Sequence, residues 1–172
     1  WKLAFDQVRG DIRYDKGGFA AEGLQVRHEG TPGVLALRAG PHVRDPAHAF
    51  EGELDAQVDI DGLLDKAGSL AWLKPHVAGS SAWTVTLGIP RTAAQGAMAG
   101  RLQLRSNLAG TELDLPEPLR KPRGQALAAG VDLRLPLEEG EVEVTLGNLL
   151  SLRSRTRGTS TGVAVQMGGP RA

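Results

Sequence analysis

The stretch Phe50-Glu51-Gly52-Glu53-Leu54-Asp55-Ala56-Gln57-Val58-Asp59-Ile60 decides the fold. Its even positions are apolar or small, and its odd positions are Glu, Asp or Gln. Successive side chains of a β-strand point to opposite faces, so this period of two puts every carboxylate on one side. The alternation returns in Trp83-Val85-Leu87-Ile89, Leu102-Leu104-Ser106-Leu108, Val131-Leu133-Leu135-Leu137, Val142-Val144-Leu146 and Val163-Val165-Met167. Weaker versions are Val8-Gly10-Ile12-Tyr14, Leu24-Val26 and Leu35-Leu37. These runs predict about nine strands at the spacing of an all-β arrangement. Turn residues separate them: Lys16-Gly17-Gly18, Glu138-Glu139-Gly140 and the hairpin signal Gly147-Asn148. The expected fold is mainly β, an antiparallel meander forming one segment over residues 1–172.

Two stretches break the period. From Asp61 to Leu73 the apolar residues fall at helical spacing, which predicts one short helical segment over about residues 61–74. Asp61 is the expected N-cap, Gly68-Ser69 a point where the segment splits, and Pro75 its end. From Pro116 to Gly124, three prolines remove ladder donors and predict a loop or extended edge.

Bulk properties exclude several functions. The 172 residues carry 20 basic and 20 acidic side chains, so no net charge draws the chain to nucleic acid or an anionic surface. No cysteine is present, which removes thiolate nucleophiles, disulfides and cysteine zinc sites. No stretch reaches the roughly 18–20 apolar residues of a membrane span. The opening Trp1-Lys2-Leu3-Ala4-Phe5, without an initiator Met, reads as cut from something longer.

Catalytic constellations are sparse. His42, His48 and Asp45 share one loop, but their spacing matches no zinc pattern. Glu51, Glu53, Asp55 and Asp59 share a strand face at the separation of glycosidase carboxylates, although a charged stripe opposite an apolar one is the ordinary solvated face. Ser80-Ser81 is not a hydrolase elbow, and no phosphate-cradling glycine loop occurs. Arg153, Arg155 and Arg157 alternate along one strand without interleaved aromatics, the pattern of a solvated or charge-guarded edge. The expectation is no enzyme, no cofactor and no metal.

The apolar face raises a covering problem. Nine strands about 4.8 Å apart make a sheet roughly 40 Å wide, and one helix about 10 Å across shields only part of it. The sheet must close as a sandwich or barrel, pack on the rest of a parent chain, or curl into an open groove filled by an apolar ligand.

The segment Leu102-Gln103-Leu104-Arg105-Ser106-Asn107-Leu108-Ala109-Gly110-Thr111-Glu112-Leu113-Asp114-Leu115-Pro116-Glu117-Pro118-Leu119-Arg120-Lys121-Pro122 resembles the YhdP branch of the AsmA-like, bridge-like lipid transfer proteins. There a strand ending in Ser-Asp/Asn-Leu-x-Gly leads to Leu-Pro-x-Pro-Leu-x-Lys, here Leu115, Pro116, Pro118, Leu119 and Lys121. Arg9 to Tyr14 and the helical break before Trp83 are also similar, so the resemblance spans about residues 8–157. It implies a segment of a long periplasmic protein, anchored in the inner membrane of a Gram-negative bacterium by a helix of the parent chain. It also implies an apolar β-groove that conducts phospholipid acyl chains toward the outer membrane. The implied partners are phospholipid acyl chains and the rest of the parent, with membrane contact through the parent anchor only and no nucleic acid. The lining expected on this reading is Leu54, Val58, Ile60, Val85, Leu87, Leu102, Leu104, Val131, Leu133, Leu135, Val142, Val144 and Leu146. The competing expectation is a structural or scaffolding envelope domain with a closed core and a protein partner.

Overall fold

A computed structural model describes residues 5–66, 68–92, 99–136, 140–157 and 160–168. Twelve strands form one antiparallel sheet. They are β1 (Gln7–Arg9), β2 (Arg13–Asp15), β3 (Gly18–His28), β4 (Thr31–Ala39), β5 (His48–Asp59), β6 (Val77–Pro90), β7 (Gly100–Ser106), β8 (Thr111–Leu113), β9 (Ala129–Leu135), β10 (Glu141–Leu146), β11 (Leu150–Arg157) and β12 (Ser160–Met167). The order β1-β3-β4-β5-β6-β7-β9-β10-β11-β12 is a meander, with β2 paired beside β1 on β3, and β8 on the start of β6. Among the described residues β1 and β12 do not pair, so the sheet is open and closes as neither a barrel nor a sandwich.

Twelve strands replace the expected nine for local reasons. The run Val8 to Tyr14 is interrupted at Gly10 and yields both β1 and β2. β11 alternates apolar residues only at its start, Leu150 and Leu152, and β8 is too short to show a period. Leu137, Glu138 and Glu139 lie outside the described residues. Gly147-Asn148 extends to a three-residue turn, with Leu149 N–H donating to Leu146 O and Gly147 at φ 52°.

The helical break is two elements, α1 (Ile60–Lys66) and a 3₁₀ helix (Gly68–His76). The N-cap is Asp59 rather than Asp61: Asp59 Oδ2 accepts from the Gly62 amide at 3.3 Å, two positions into the helix from Ile60. Pro75 lies inside the 3₁₀ helix instead of ending it.

The two edges of the sheet differ. On one side, β1 and β2 are three residues each and are flanked by Asp6, Arg9, Asp11, Arg13 and Asp15. On the other, β12 is eight residues long and exposed throughout, and Ser160 to Met167 includes no charged residue.

Candidate functional site

The ladder registers assemble the alternating residues into rows that run across the strands. One row is Leu24–Leu35–Leu54–Val85–Leu104–Val131–Val144–Leu152–Val165, one residue from each of nine strands. Eight strand spacings make it roughly 38 Å long. A second row, Leu87–Leu102–Leu133–Val142, lies two residues along on the same face. Residues of these rows on β5 to β11 are only half-buried. On β12 the apolar face is more open still, with Val163, Val165 and Met167 at 60%, 57% and 53% exposure.

At the β3 side the sheet covers itself. Ala21, Leu24 and Val26 are buried, and Leu54, two strands away, packs against the same cluster. Gly33 makes this possible: a Cβ there would stand 3.3 Å from both Leu54 Cδ1 and Val26 Cγ2. Neighbours meeting over a bare position are consistent with a sheet that curls toward its apolar face.

A third row, Trp83–Ser106–Ala129–Leu146, is capped. Ile60, Leu64, Val77, Leu108 and Leu113 form a buried cluster against which Leu73, Trp83, Leu115, Leu127, Ala129 and Leu146 pack. Of the expected lining residues, Ile60 is therefore corrected: it opens α1 and belongs to the cap core. Leu146 stays on the apolar face but lies against the cap. Leu54, Val58, Val85, Leu87, Leu102, Leu104, Val131, Leu133, Leu135, Val142 and Val144 all stand on the apolar face of the sheet.

A buried polar knot ties the cap loop together and, through Ser81, to β6. Lys121, Thr111 and Ser81 are 1%, 1% and 0% exposed. Lys121 Nζ donates to Thr111 O and, at 3.2 Å, to Pro122 O; Thr111 Oγ1 donates to Ser81 Oγ, which also accepts from Trp83 Nε1 at 3.1 Å. Burial pushes the Lys121 ammonium below its usual range, partly offset by the charge of Glu112. Lys121 and Leu113 exchange both backbone bonds at 2.9 Å. The turn before β8 is equally determined. Ser106 Oγ donates to Ala82 O and accepts from Leu108 N, and Asn107 Oδ1 accepts from Ala109 N. Leu108 consequently sits at φ 50° with its side chain in the cap core. Gly110, at φ 96°, passes so close to β6 that a Cβ would stand 2.3 Å from Ser80 O.

A family model described as YhdP protein matches residues 1–170. The chain belongs to the YhdP family. No curated protein and no solved structure matches it. In this YhdP-family chain the Ser-Asn-Leu-x-Gly and Leu-Pro-x-Pro-Leu-x-Lys signatures supply part of the cap, beside Ile60 and Leu64 of α1. Leu115 and Lys121 are the parts that reach inward, while Pro116 and Pro118 are exposed. The burial of Lys121 is not visible in the sequence, where a lysine among prolines and arginines reads as solvated.

The opposite face of this YhdP-family sheet is ionic and self-neutralising. Asp132 accepts from Gln103, Arg105 and Arg101 on the neighbouring strand; burial works against its ionisation, but these three donors hold its carboxyl below the usual range. Arg155 and Arg153 pair with Glu141 and Glu143. Two cavities open here. One, about 570 Å³, is bordered by Gln25, Asp55, Thr84 and Arg105. The other, about 430 Å³, contains Arg38, Arg44 and Arg101, each paired with a carboxylate: Glu22, Glu53 and Asp132.

The four strand carboxylates have separate structural duties. Glu51 is buried and accepts from the amides of Arg44 at 2.8 Å and Asp45 at 2.9 Å, and shares a 2.9 Å contact with the His48 ring. Burial raises its pKa, but those donors outweigh it and hold it at about 2. Glu53 pairs with Arg44, Asp55 accepts from Thr84, and Asp59 caps α1. His42 pairs with Asp15 at 2.5 Å, away from His48. Among the described residues no group of three or more His, Asp or Glu is placed to hold a metal, and no helix is long and apolar enough to cross a membrane.

Proposed function

We propose that this chain is a non-enzymatic segment of a bacterial envelope protein that conducts phospholipids along its apolar β-face. The observation that carries the reading is the nine-residue apolar row, in register across nine strands and half-open along β5 to β11. Family membership supports it, since YhdP resembles lipid-transfer proteins. A soluble protein does not leave so long an apolar strip in water without a use. An extended acyl chain matches the strip in shape and chemistry. Each methylene removed from water contributes about 0.8 kcal/mol. A 16-carbon chain dried on one side would gain about 6 kcal/mol, enough to hold it while leaving it free to slide. Leu and Val offer no polar anchor to stop that motion, and the headgroup remains in water beside the open face. In the parent, the segment belongs to the periplasm, between an inner-membrane anchor and the outer membrane.

The test is to purify the chain without detergent and incubate it with phosphatidylethanolamine–phosphatidylglycerol vesicles. The vesicles are removed and the bound lipid is identified by mass spectrometry. The expected result is stoichiometric phospholipid on folded protein. A folded sheet that carries none, either as isolated or after incubation, overturns the reading.

A further inference from the structure

The cap divides the apolar face. Its core rests on Trp83, Ala129 and Leu146, while the rows through Leu104 and Leu102 stay half-open beside it. A lid that swings clear must break few bonds. This cap would break many: the Thr111–Ser81 bond, the β8–β6 ladder from Val77–Leu113 to Gly79–Thr111, and the bond from Asp114 N to His76 O. It would also expose a five-residue apolar core. Buried, fully satisfied polar groups favour one arrangement over its alternatives.

We infer that the cap is a fixed side wall of the acyl-chain path, and that Lys121 is the positioning residue that keeps its loop folded against β8. The inference rests on the lipid-conduit reading above. Acyl chains are held on the rows through Leu104 and Leu102 and are excluded from the row through Leu146. The family signature thus sets the width of the path rather than touching the lipid.

A phosphatidylethanolamine carrying a diazirine in its acyl chain tests this. The protein is loaded from vesicles, irradiated, and its adducts are mapped by peptide mass spectrometry. Adducts are expected on the β7 and β9 positions of the open rows, such as Leu104 and Val131, at least tenfold above Ala129 and Leu146. Equal labelling of Leu146 and Leu104 means that the cap moves aside; the inference then fails while the lipid-conduit reading stands. No adducts anywhere on folded protein overturns that reading itself. Lys121→Met should spread labelling to Ala129 and Leu146 while total lipid stays within twofold. Thr111→Val, which removes only the hydroxyl bond to Ser81, is the milder version should the methionine variant fail to fold. An unchanged adduct map in a folded variant would show that the knot does not lock the wall.

Discussion

Leu104→Asp separates a lipid path from an ordinary strand face. Leu104 sits at the middle of the nine-residue row, between Val85 and Val131, and is half-buried. Full burial of a leucine side chain is worth about 1.5–3 kcal/mol, so losing half of it costs the empty protein about 1 kcal/mol. The new carboxylate keeps its water on the open face, and the sheet should fold. With a chain laid over it, the carboxylate must be dehydrated or the chain lifted. A carboxylate in hydrocarbon costs about 3 kcal/mol on insertion scales, and each 1.4 kcal/mol is tenfold in affinity. Phospholipid binding should fall about 100-fold while the circular dichroism melt drops only slightly. Titration with a fluorescent-chain phosphatidylethanolamine measures the first, and a thermal scan the second. Thr145→Asp, on the ionic face beside Ser151, is the control and should leave binding unchanged. If Leu104→Asp binds as tightly as the parent, or if both variants lose affinity alike, the apolar row is not the path.

Three further outcomes follow from the supporting structure. Glu51 is held at a pKa of about 2 against an ordinary 4.5; a depressed carboxylate stabilises above its unfolded pKa and loses that contribution as pH falls from about 4.5 toward 2. The gap corresponds to about 3 kcal/mol, so Glu51→Gln should lose about 2–3 kcal/mol at pH 7 in urea denaturation and flatten the acid limb, whereas a curve parallel to the parent's would contradict the anchoring of the Arg44–Asp45 amides. Gly110→Ala forces a Cβ against Ser80 O at a φ of 96° and should cost at least about 2–3 kcal/mol, read as a lowered melting temperature; tolerance would mean that the β6–β8 crossing is looser than described. Asp132→Asn removes the negative charge and one of the two oxygens that accept from Arg101, Arg105 and Gln103; these are cross-strand pairs on a solvated face, so the loss should be about 1 kcal/mol and should shrink in high salt.

The sheet was legible in the sequence because one force wrote it. Phe50 to Asp59 alternates without interruption, and a strand with one wet face permits no other register. What alternation cannot carry is anything set by a contact from elsewhere. Ile60 continues the period of β5 but leaves the sheet, because Asp59 caps a helix at that point. Glu51, Glu53 and Asp55 are equivalent by period, yet only Glu51 lies beneath the Arg44–Asp45 loop and is buried. The burial of Lys121 is not legible, because nothing local announces that Thr111 O and Pro122 O converge on it. β11 is absent from the apolar runs, although its arginines read as lying along one strand, because Arg153 and Arg155 alternate with Ser154 and Thr156 and both faces of its far half are polar in sequence. The open apolar rows could be listed from the chain, but the capped one could not, since its cover arrives from α1, β8 and the loop after it.

The unequal edges of the sheet give it a direction. The β1–β2 edge is short, broken at Gly10 and studded with alternating charges, which discourage a foreign strand. The β12 edge, eight uncharged exposed residues, offers a whole ladder of donors and acceptors. Among the described residues the two borders are therefore not interchangeable: the β12 side can accept a strand, and the β1–β2 side resists one.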